Sequence, residues 1–460
     1  MSGDWLLMSR ADFARVIDKD LRKDEPLLAD LEARHLIMTD SAACTLAPLL
    51  SQYRTRKSYI EQGPKLHIFV VSLRCHHTCA YCQVSRQPLG QSQFDMSSET
   101  AAHAVKRLFE WPARDLTVEF QGGEPLLHFG RIKALVEAIE ARNRNEGRNI
   151  RFVIASTLHD LTGDQLAFMR DHHFDLSTSL DGPEWLHNAN RPRPEKDSYR
   201  RTVEGIELGR KVLGDHAVSA LTTLTRRSLR APVEIIDEYR KLGFHSISLR
   251  PLSPYGFARK TETRNGYPIG DFLRFYAMAL DHLLEVNRSG FLMEETYGRM
   301  LLGQLLTPFS HGYVDLRSPT GAGLGAVVYD YDGTVYPSDE ARMLASMGNR
   351  SFALGKVEQP VTTWLESRAM YRILAAGAAE ALPTCADCAY VPLCGADPID
   401  HFARQGDTIG HRPTSDFCRK QMGLFDLLLE RWESGSDRDR LILESWAHQA
   451  TRRVAQVEFA

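Results

Sequence analysis

The stretch Leu66-His-Ile-Phe-Val-Val-Ser-Leu73-Arg-Cys75-His-His-Thr-Cys79-Ala-Tyr-Cys82 joins an apolar run to a loop that carries three cysteines. The run is typical of a buried strand. Five similar runs follow, each before a stretch with helical periodicity: Leu116–Gln121, Arg151–Thr157, Asp175–Leu180, Ala217–Leu224 and Ser246–Leu252. Six strand–helix units in succession predict an α/β fold with a parallel sheet covered by helices. Because two more units cannot be found, we expect an open, partial (β/α)6 TIM barrel with its chemistry at the C-terminal ends of the strands.

The composition is that of a soluble globular protein. Of the 460 residues, 43% are apolar and 25% are charged, which excludes a disordered or fibrous chain. Lys and Arg (56) nearly balance Asp and Glu (59), so no overall basic charge points to nucleic acid or to a membrane surface. No apolar run approaches the ~20 residues that span a bilayer, and the first residues do not read as a signal peptide. We therefore expect a cytoplasmic protein with neither nucleic acid nor membrane as a partner.

The strand–helix alternation is confined to the middle of the chain. Before it, the stretch Pro26–His35 has helical character; after it, Val327–Tyr331 and Thr334–Tyr336 predict a hairpin, and about Met422 to Trp446 reads as helical. The predicted organisation is an N-terminal extension (1–62), a barrel (63–256), a helical bridging region (257–318), a small C-terminal auxiliary domain (319–425) and a C-terminal helical segment (426–460).

Seven of the eight cysteines fall into two groups, which in a reducing compartment indicates metal or redox chemistry more than disulfides. The first group is the C-x3-C-x2-C loop of Cys75, Cys79 and Cys82. Three thiolates can hold three irons of a 4Fe–4S cluster and leave the fourth open to a small molecule, whereas a full set takes four cysteines. A structural zinc site, with His76 or His77 as the fourth ligand, is the alternative.

Polar residues end the next strands of the predicted barrel. Gln121-Gly-Gly-Glu-Pro125 follows the second strand; its glycines permit close approach to a ligand, and Glu124 can accept a hydrogen bond from an amino group. Ser156 and Thr157 end the third strand. Ser177-Thr-Ser179-Leu-Asp181-Gly-Pro183 ends the fourth, although Asp181-Gly182 can also be only a turn. Arg191 can meet a carboxylate in a bidentate fork.

Together these motifs resemble the radical S-adenosylmethionine (SAM) superfamily over about residues 64–255, through Cys75, Cys79, Tyr81, Cys82 and the segment Gly122–Pro125. The resemblance implies that the open iron binds the amine and carboxylate of SAM, and that one electron then releases a 5′-deoxyadenosyl radical. It also implies a set of residues at the SAM site: Tyr81, Gly122, Gly123, Glu124, Pro125, Ser156, Ser179, Asp181 and Arg191.

The second group of cysteines, Cys385, Cys388, Cys394 and Cys418, has four thiolates and leaves no iron open. A zinc ribbon is the alternative. The C-x2-C-x5-C spacing followed by a later cysteine resembles the SPASM extension of peptide-modifying radical enzymes. Other SPASM cluster cysteines are missing here, where the chain has Thr320, Ser338 and Pro398. This twitch-like pattern implies one auxiliary 4Fe–4S cluster and not two.

Further segments resemble the B-component maturases of the His-Xaa-Ser peptide system: Cys82–Arg86, Phe120–Pro125, His187–Pro194, Leu249–Phe257 and Tyr336–Arg342. This resemblance implies a ribosomally made precursor peptide as substrate, an oxidative modification such as a side-chain cross-link, and an electron donor such as flavodoxin or ferredoxin. Asp339 stands next to the missing cysteine position and is the candidate general base, while a solvated pair with Glu340 is equally consistent. Tyr255 is expected near the barrel mouth, and Cys44 reads as a small buried hydrophobe.

Two other functions remain open from the sequence. One is dehydrogenation of a Ser or Cys in a protein substrate, as in the related anaerobic sulfatase-maturating enzymes. The other, from a different class, is a zinc-stabilised peptide-binding module without turnover. The N-terminal extension is a possible region for leader-peptide binding by strand addition, although its sequence carries little strand signal.

Overall fold

The computed structural model describes residues 3–38 and 46–448. In chain order its strands are β1 (Leu66–Ser72), β2 (Asp115–Gly122), β3 (Asn149–Ala155), β4 (Asp175–Ser179), β5 (Val218–Thr223), β6 (Ser246–Ile247), β7 (Leu249–Arg250), β8 (Glu294–Glu295), β9 (Ala326–Tyr329), β10 (Thr334–Tyr336) and β11 (Gly355–Lys356).

The helices are α1 (Arg10–Ile17), α2 (Pro26–Ala33), α3 (Leu46–Lys57), α4 (Tyr59–Gln62), α5 (Ser98–Leu108), α6 (Phe129–Glu146), α7 (Gly163–Asp171), α8 (Glu184–Asn190), α9 (Ser198–Leu213), α10 (Pro232–Lys241), α11 (Gly256–Lys260), α12 (Glu262–Asn265), α13 (Ile269–Arg288), α14 (Thr296–Leu306), α15 (Asp339–Ser346), α16 (Val361–Leu365), α17 (Arg368–Gly377), α18 (Pro398–Gln405), α19 (Asp416–Ser434) and α20 (Asp437–Ala447). In the described residues no helix is both long enough and apolar enough to cross a bilayer.

The main sheet confirms the predicted partial barrel. Its strand order is β11-β10-β9-β1-β2-β3-β4-β5-β7, and every pair from β9 to β7 is parallel. The sixth predicted strand, Ser246–Leu252, is interrupted: β7 pairs with β5, whereas β6 turns away to pair with β8. The C-terminal ends of the six barrel strands therefore meet at one open rim.

The predicted hairpin forms as β9 and β10. Its place in the sheet cannot be predicted from the local sequence pattern. β9 lies beside β1 in parallel register, with Leu66 opposite Ala326, while β10 is antiparallel to β9. The C-terminal region thus extends the barrel sheet at its first strand. The cluster loop after β1 consequently lies between two sets of strands and not at a sheet edge.

Alternation along β1 separates two apolar cores. Phe69 and Val71 belong to the large core between the sheet and its helices, whereas Ile68 and Val70 belong to a second core inside the barrel that also contains Tyr255. Side chains of successive strand residues point to opposite faces, so a strand that is apolar throughout buries both faces. Burial on both sides explains why Leu66–Leu73 reads as a continuous apolar run.

The C-terminal segment is helical, as the sequence predicts over about Met422 to Trp446. It consists of two helices, because Gly435 caps the end of α19 and Ser436 caps the start of α20. The Ser436 hydroxyl accepts from the backbone N–H of Asp439, whose carboxylate accepts in turn from Ser436, a reciprocal capping box. The two helices pack against α13 and α14.

The N-terminal extension forms helices α1 to α4 and no strand in its described residues. The indole N–H of Trp5 donates to the carbonyl of Leu305, and the buried Arg56 donates to the carbonyls of Gln304 and Thr307. These contacts attach the extension to the end of α14. Cys44 lies outside the described residues.

Candidate active site

The three-cysteine loop lies where the sequence predicts it, at the C-terminal end of β1. The backbone N–H of Cys75 donates to the carbonyl of Gln87 (3.1 Å), and the carbonyl of Cys82 accepts from Phe257 (2.8 Å), so both ends of the loop are fixed. Cys75 and Cys79 are buried, and all three thiols are free of disulfides. Burial is the main cause that raises the pKa of Cys79 to about 12. Buried thiols of this kind are costly to ionise unless a metal centre binds them as thiolates.

The arrangement disfavours a single zinc ion at either cysteine group. Zn–S bonds of about 2.3 Å place tetrahedral sulfurs roughly 3.8 Å apart. Among the described residues, three potential ligand atoms lie within 4.8 Å of one another only at His76, His77 and His159. Neither cysteine group is that compact, which fits a polynuclear cluster whose thiolates bind different irons.

Glu124 is the centre of a hydrogen-bond network at the ends of β2 and β3. Its Oε1 accepts from the Ser156 hydroxyl (2.7 Å) and from the backbone N–H of Leu126 (3.1 Å). Its Oε2 accepts from the hydroxyl (2.7 Å) and the backbone N–H (2.9 Å) of Thr157. The carboxylate is 2% exposed and holds its full complement of donors, so an incoming amino group must replace one of the two hydroxyls, which can rotate away.

The two glycines before Glu124 are required by backbone packing. A Cβ on Gly122, whose φ is +147°, would lie 1.9 Å from the carbonyl oxygen of Ser72. A Cβ on Gly123 would lie 2.4 Å from the carbonyl oxygens of Leu73 and Arg74. The pair therefore lets the turn after β2 lie directly against the start of the cysteine loop.

Tyr81, Asp181 and Arg191 form a buried cluster beside Cys79, the second cysteine of the loop. The Tyr81 hydroxyl donates to Asp181, whose other oxygen accepts from the backbone N–H of Thr223 (3.2 Å). Arg191 donates from Nε to Asp181 (3.3 Å), and its guanidinium lies 5.4 Å from the Tyr81 ring centre. Because Asp181 has no exposed surface, it positions Tyr81 and Arg191 in this conformation. The terminal nitrogens of Arg191 make no hydrogen bond to the described residues and remain available for a carboxylate.

The serines at the fourth strand are partly exposed. Ser177 and Ser179 share one face of β4, and the intervening Thr178 is buried on the other. His76 and His77 of the loop form, with His159, a group of three stacked or edge-on rings. Burial lowers the pKa of His159 to about 3, so this ring is neutral at physiological pH. His159 comes after the third strand and carries no spacing signal that links it to the loop.

Acidic side chains collect inside the barrel near Asp339. Arg342 donates from Nε to Oδ1 of Asp339 (2.8 Å). Burial and the nearby charge of Asp339 raise the pKa of Glu119, on β2, to about 7. The same two causes raise the pKa of Glu340. Sequence reasoning missed Glu119, because a single acid within an apolar strand gives no local signal.

The second cysteine group is brought together by a series of turns and by helix α19. Cys385, Cys388 and Cys394 lie on consecutive turns, while Cys418 is in the first turn of α19, where its backbone N–H donates to Ser415 (3.2 Å). After burial, the charges of the other three thiols are the largest causes that raise the pKa of Cys394. Arg412 is buried beside this group and has two nitrogens, Nε and Nη2, without a hydrogen-bond partner. A buried cation with free donors fits an anionic four-thiolate cluster.

The positions of the missing cysteines have other roles in the fold. Ser338 is the N-cap of α15, where its hydroxyl accepts from the backbone N–H of Ala341. Pro398 is the first residue of α18, where its lack of an N–H costs nothing. The scaffold is thus retained with capping residues where ligands are absent.

The family model described as "Radical SAM superfamily" matches residues 69–238. This range contains the cysteine loop, the Glu124 network and the Asp181 cluster. Residues 69–238 form a radical SAM domain. The chain is therefore an enzyme with a radical SAM domain over this range, and the cofactors of that domain are a 4Fe–4S cluster and SAM.

Curated relatives align with more than half of this chain. An uncharacterized protein of Methanothermobacter thermautotrophicus is 27% identical over 258 residues, which are 51% of this chain and 90% of that protein. The cysteine-type anaerobic sulfatase-maturating enzyme of Clostridium perfringens is 22% identical over 285 residues, which are 60% of this chain and 75% of that enzyme.

Solved structures support the fold. The structure "Native anSMEcpe with bound AdoMet" has a TM-score of 0.68 at 19% identity and covers 84% of this chain and 100% of its own. Streptococcus suis SuiB bound to precursor peptide SuiA has a TM-score of 0.57 at 16% identity and covers 89% of both chains. The likeness confirms the mixed α/β fold with its parallel, partial-barrel sheet.

Proposed function

We propose that the protein is a peptide maturase in which Cys75, Cys79 and Cys82 hold the SAM-binding cluster. The observation that carries the proposal is the junction of the three free thiols with the Glu124 turn: Gly123 lies against the backbone of the loop, and the Glu124 backbone N–H donates to Arg74 beside Cys75 (2.7 Å). An amine acceptor and an open cluster position are thus adjacent on one rim.

When bound, the cluster and SAM supply a 5′-deoxyadenosyl radical that takes a hydrogen atom from the substrate. The chain's own residues bind and orient. We assign Glu124 and Ser156 to the amino group, Arg191 to the carboxylate, and the Tyr81 side chain to the wall of the site. Ser179, together with the backbone of Gly122, Gly123 and Pro125, completes the pocket, and Asp181 holds Tyr81 and Arg191 in place.

We assign Cys385, Cys388, Cys394 and Cys418 to one auxiliary 4Fe–4S cluster. Four thiols saturate it, and the free donors of Arg412 offset its charge. A saturated cluster offers no position to substrate, so its role is in accepting an electron or in holding the domain together.

The proposed substrate is a ribosomally made precursor peptide, and the proposed product contains an oxidative side-chain cross-link. Supporting this, the fold is shared with SuiB, which has been solved with its precursor peptide. Asp339, 17% exposed at its side chain, is the proposed general base. Glu119 is a second carboxylate of suitable proton affinity, since its pKa is about 7.

Dehydrogenation of a Ser or Cys in a protein substrate is the second candidate. It is favoured by the alignment with the sulfatase-maturating enzyme and by the higher TM-score of the anSMEcpe structure, 0.68 against 0.57. Both reactions remove two hydrogens, so the fragmentation spectrum of the product separates them: a ring suppresses cleavage between the linked residues, whereas an oxidised Ser or Cys does not.

The test uses anoxically reconstituted protein. About eight irons per chain are expected from two 4Fe–4S clusters, and dithionite with SAM yields 5′-deoxyadenosine. A candidate precursor peptide, sought among small reading frames beside the gene, is then co-expressed, and its mass is expected to fall by two hydrogens. The variant in which Cys75, Cys79 and Cys82 are all Ala is the control. A zinc protein with no iron, or a product indifferent to this triple change, overturns the proposal.

A further inference from the structure

A cavity of about 200 Å³ lies against the cysteine loop. One wall is formed by Ala80 and Tyr81, the two residues between the second and third cysteines of the loop. The loop is held firmly at this point, because the carbonyl of Ala80 accepts from the Thr261 hydroxyl (2.8 Å). Ala80 and Tyr81 are the chain neighbours of Cys79 and Cys82, so the cavity wall is directly adjacent in sequence to two of the three cysteines.

Four exposed arginines also line the cavity: Arg226, Arg227, Arg230 and Arg264. None is in an ion pair with a described residue, and the cavity has no acidic residue in its lining. Of the four, only Arg226 has a side-chain hydrogen bond to a described residue, from Nε to the carbonyl of Gly266 (2.7 Å). In a chain of net charge −3, four uncompensated cations at one opening create a local field that attracts an anionic partner.

The surface next to the cavity has the composition of a protein interface. Trp185 is 53% exposed on α8, one helical turn before Ala189, which lines the cavity. Residues four apart share a helix face, so Trp185 extends the arginine rim with an exposed aromatic ring. Trp and Arg are the residues that most often dominate binding energy at protein interfaces.

We propose that this arginine surface is the docking site of an acidic electron-donor protein. The inference rests on the proposed assignment of Cys75, Cys79 and Cys82 to the SAM-binding cluster. A donor bound here transfers one electron across the cysteine loop to the cluster. The donor's cofactor is oxidised by one electron, the cluster is reduced by one electron, and no bond forms or breaks in that step. Positive charge around the path steers the donor and favours arrival of the electron.

The experiment compares two double charge reversals in the full-length, reconstituted enzyme. The test variant is Arg227→Glu with Arg230→Glu. The matched control is Arg114→Glu with Arg144→Glu, two exposed arginines that also lack ion pairs with described residues and lie away from the cavity. The probes are a purified flavodoxin and a purified 4Fe–4S ferredoxin, and their affinity is measured by titration calorimetry at 50 and 200 mM salt.

At least one probe is expected to bind the unmodified enzyme and the control with similar affinity, more weakly at 200 mM salt. The test variant is expected to bind that probe at least tenfold more weakly. Formation of 5′-deoxyadenosine driven by the reduced probe falls at least tenfold in the test variant, while formation driven by dithionite changes by less than twofold.

Four outcomes overturn the docking site. The first is that neither probe binds, and the second is that the test and control variants lose affinity equally. The third is that dithionite-driven turnover falls as far as donor-driven turnover, and the fourth is that inorganic phosphate at millimolar concentration binds this surface without competing with the probe. The third would assign the arginines to the SAM site. Failure of the underlying function is distinguishable, because the unmodified enzyme would then make no 5′-deoxyadenosine even with dithionite.

Discussion

Arg342 places its Nε 2.8 Å from Oδ1 of Asp339, and the Arg342 side chain has no exposed surface. The ion pair fixes one oxygen of Asp339 in the barrel interior and leaves the other without a hydrogen bond from a described residue. A carboxylate held in this way has a defined direction in which it can accept a proton, which is the geometric requirement for a general base.

Replacing Asp339, the proposed general base, is expected to uncouple SAM cleavage from peptide modification. We expect Asp339→Asn to retain 5′-deoxyadenosine formation within about threefold and to lower product formation by about 100-fold, the usual contribution of a general base. Both are measured by liquid chromatography and mass spectrometry. Glu340→Gln is the matched control, since it neutralises the neighbouring acid. Normal product formation by Asp339→Asn would reject this base, and a loss confined to Glu119→Gln would transfer the role to Glu119.

The two cysteine groups are expected to give different losses. Cys79→Ala removes about four irons and all SAM cleavage, because the remaining two thiols cannot hold the open cluster. Cys418→Ala also removes about four irons, yet it leaves SAM cleavage in place and lowers product formation. Iron content and 5′-deoxyadenosine yield are the measurements. Loss of cleavage with full iron retention in Cys418→Ala would contradict the separate roles of the groups.

Gly123, which lies against the cysteine loop, can be compared with Gly130, a glycine that has free space around it. Gly123→Ala puts a Cβ 2.4 Å from two backbone carbonyl oxygens, so the turn must move away from the cysteine loop. We expect at least a tenfold weaker SAM affinity and a lower thermal midpoint. Gly130→Ala, in α6, is the control: no atom lies within 4 Å of its new Cβ, and Ala favours the helix by about 1 kcal/mol. Equal SAM affinity in both variants would show that the close approach is unnecessary.

The pKa of Glu119 predicts a pH dependence of stability. Its folded-state pKa of about 7 exceeds the ordinary value of 4.5, so the folded protein binds more protons there than the unfolded chain between these pH values. Stability therefore falls from about pH 4.5 to about pH 7 by up to roughly 3 kcal/mol from this group. Glu119→Gln removes the effect, and its advantage over the unmodified protein should be absent near pH 4 and complete by pH 8. Urea unfolding of the cluster-free protein at several pH values checks this, and a constant difference would contradict it.

Several features follow from local sequence. The six strands could be located because each is a short apolar run before a helical period, and β1 to β5 match the expected ranges within two residues at each end. The cysteine loop could be recognised because its ligands lie within eight consecutive residues. In both cases the residues that share a cause, burial in a strand or ligation of a cluster, are close together in the sequence. The pattern can therefore be recognised locally.

Other features exist only because distant segments fold together. The parallel pairing of β9 with β1 joins residues about 260 positions apart, and no local period encodes which strand edge receives the hairpin. The pKa of Glu119 depends on Asp339, and the arginine surface collects Arg230 and Arg264 from separate segments around Tyr81. Electrostatic energy depends on distance in space and on burial, and neither quantity can be read from the order of the residues. The chain alone therefore determined which chemistry the protein carries, and the tertiary structure decided which acids and cations surround it.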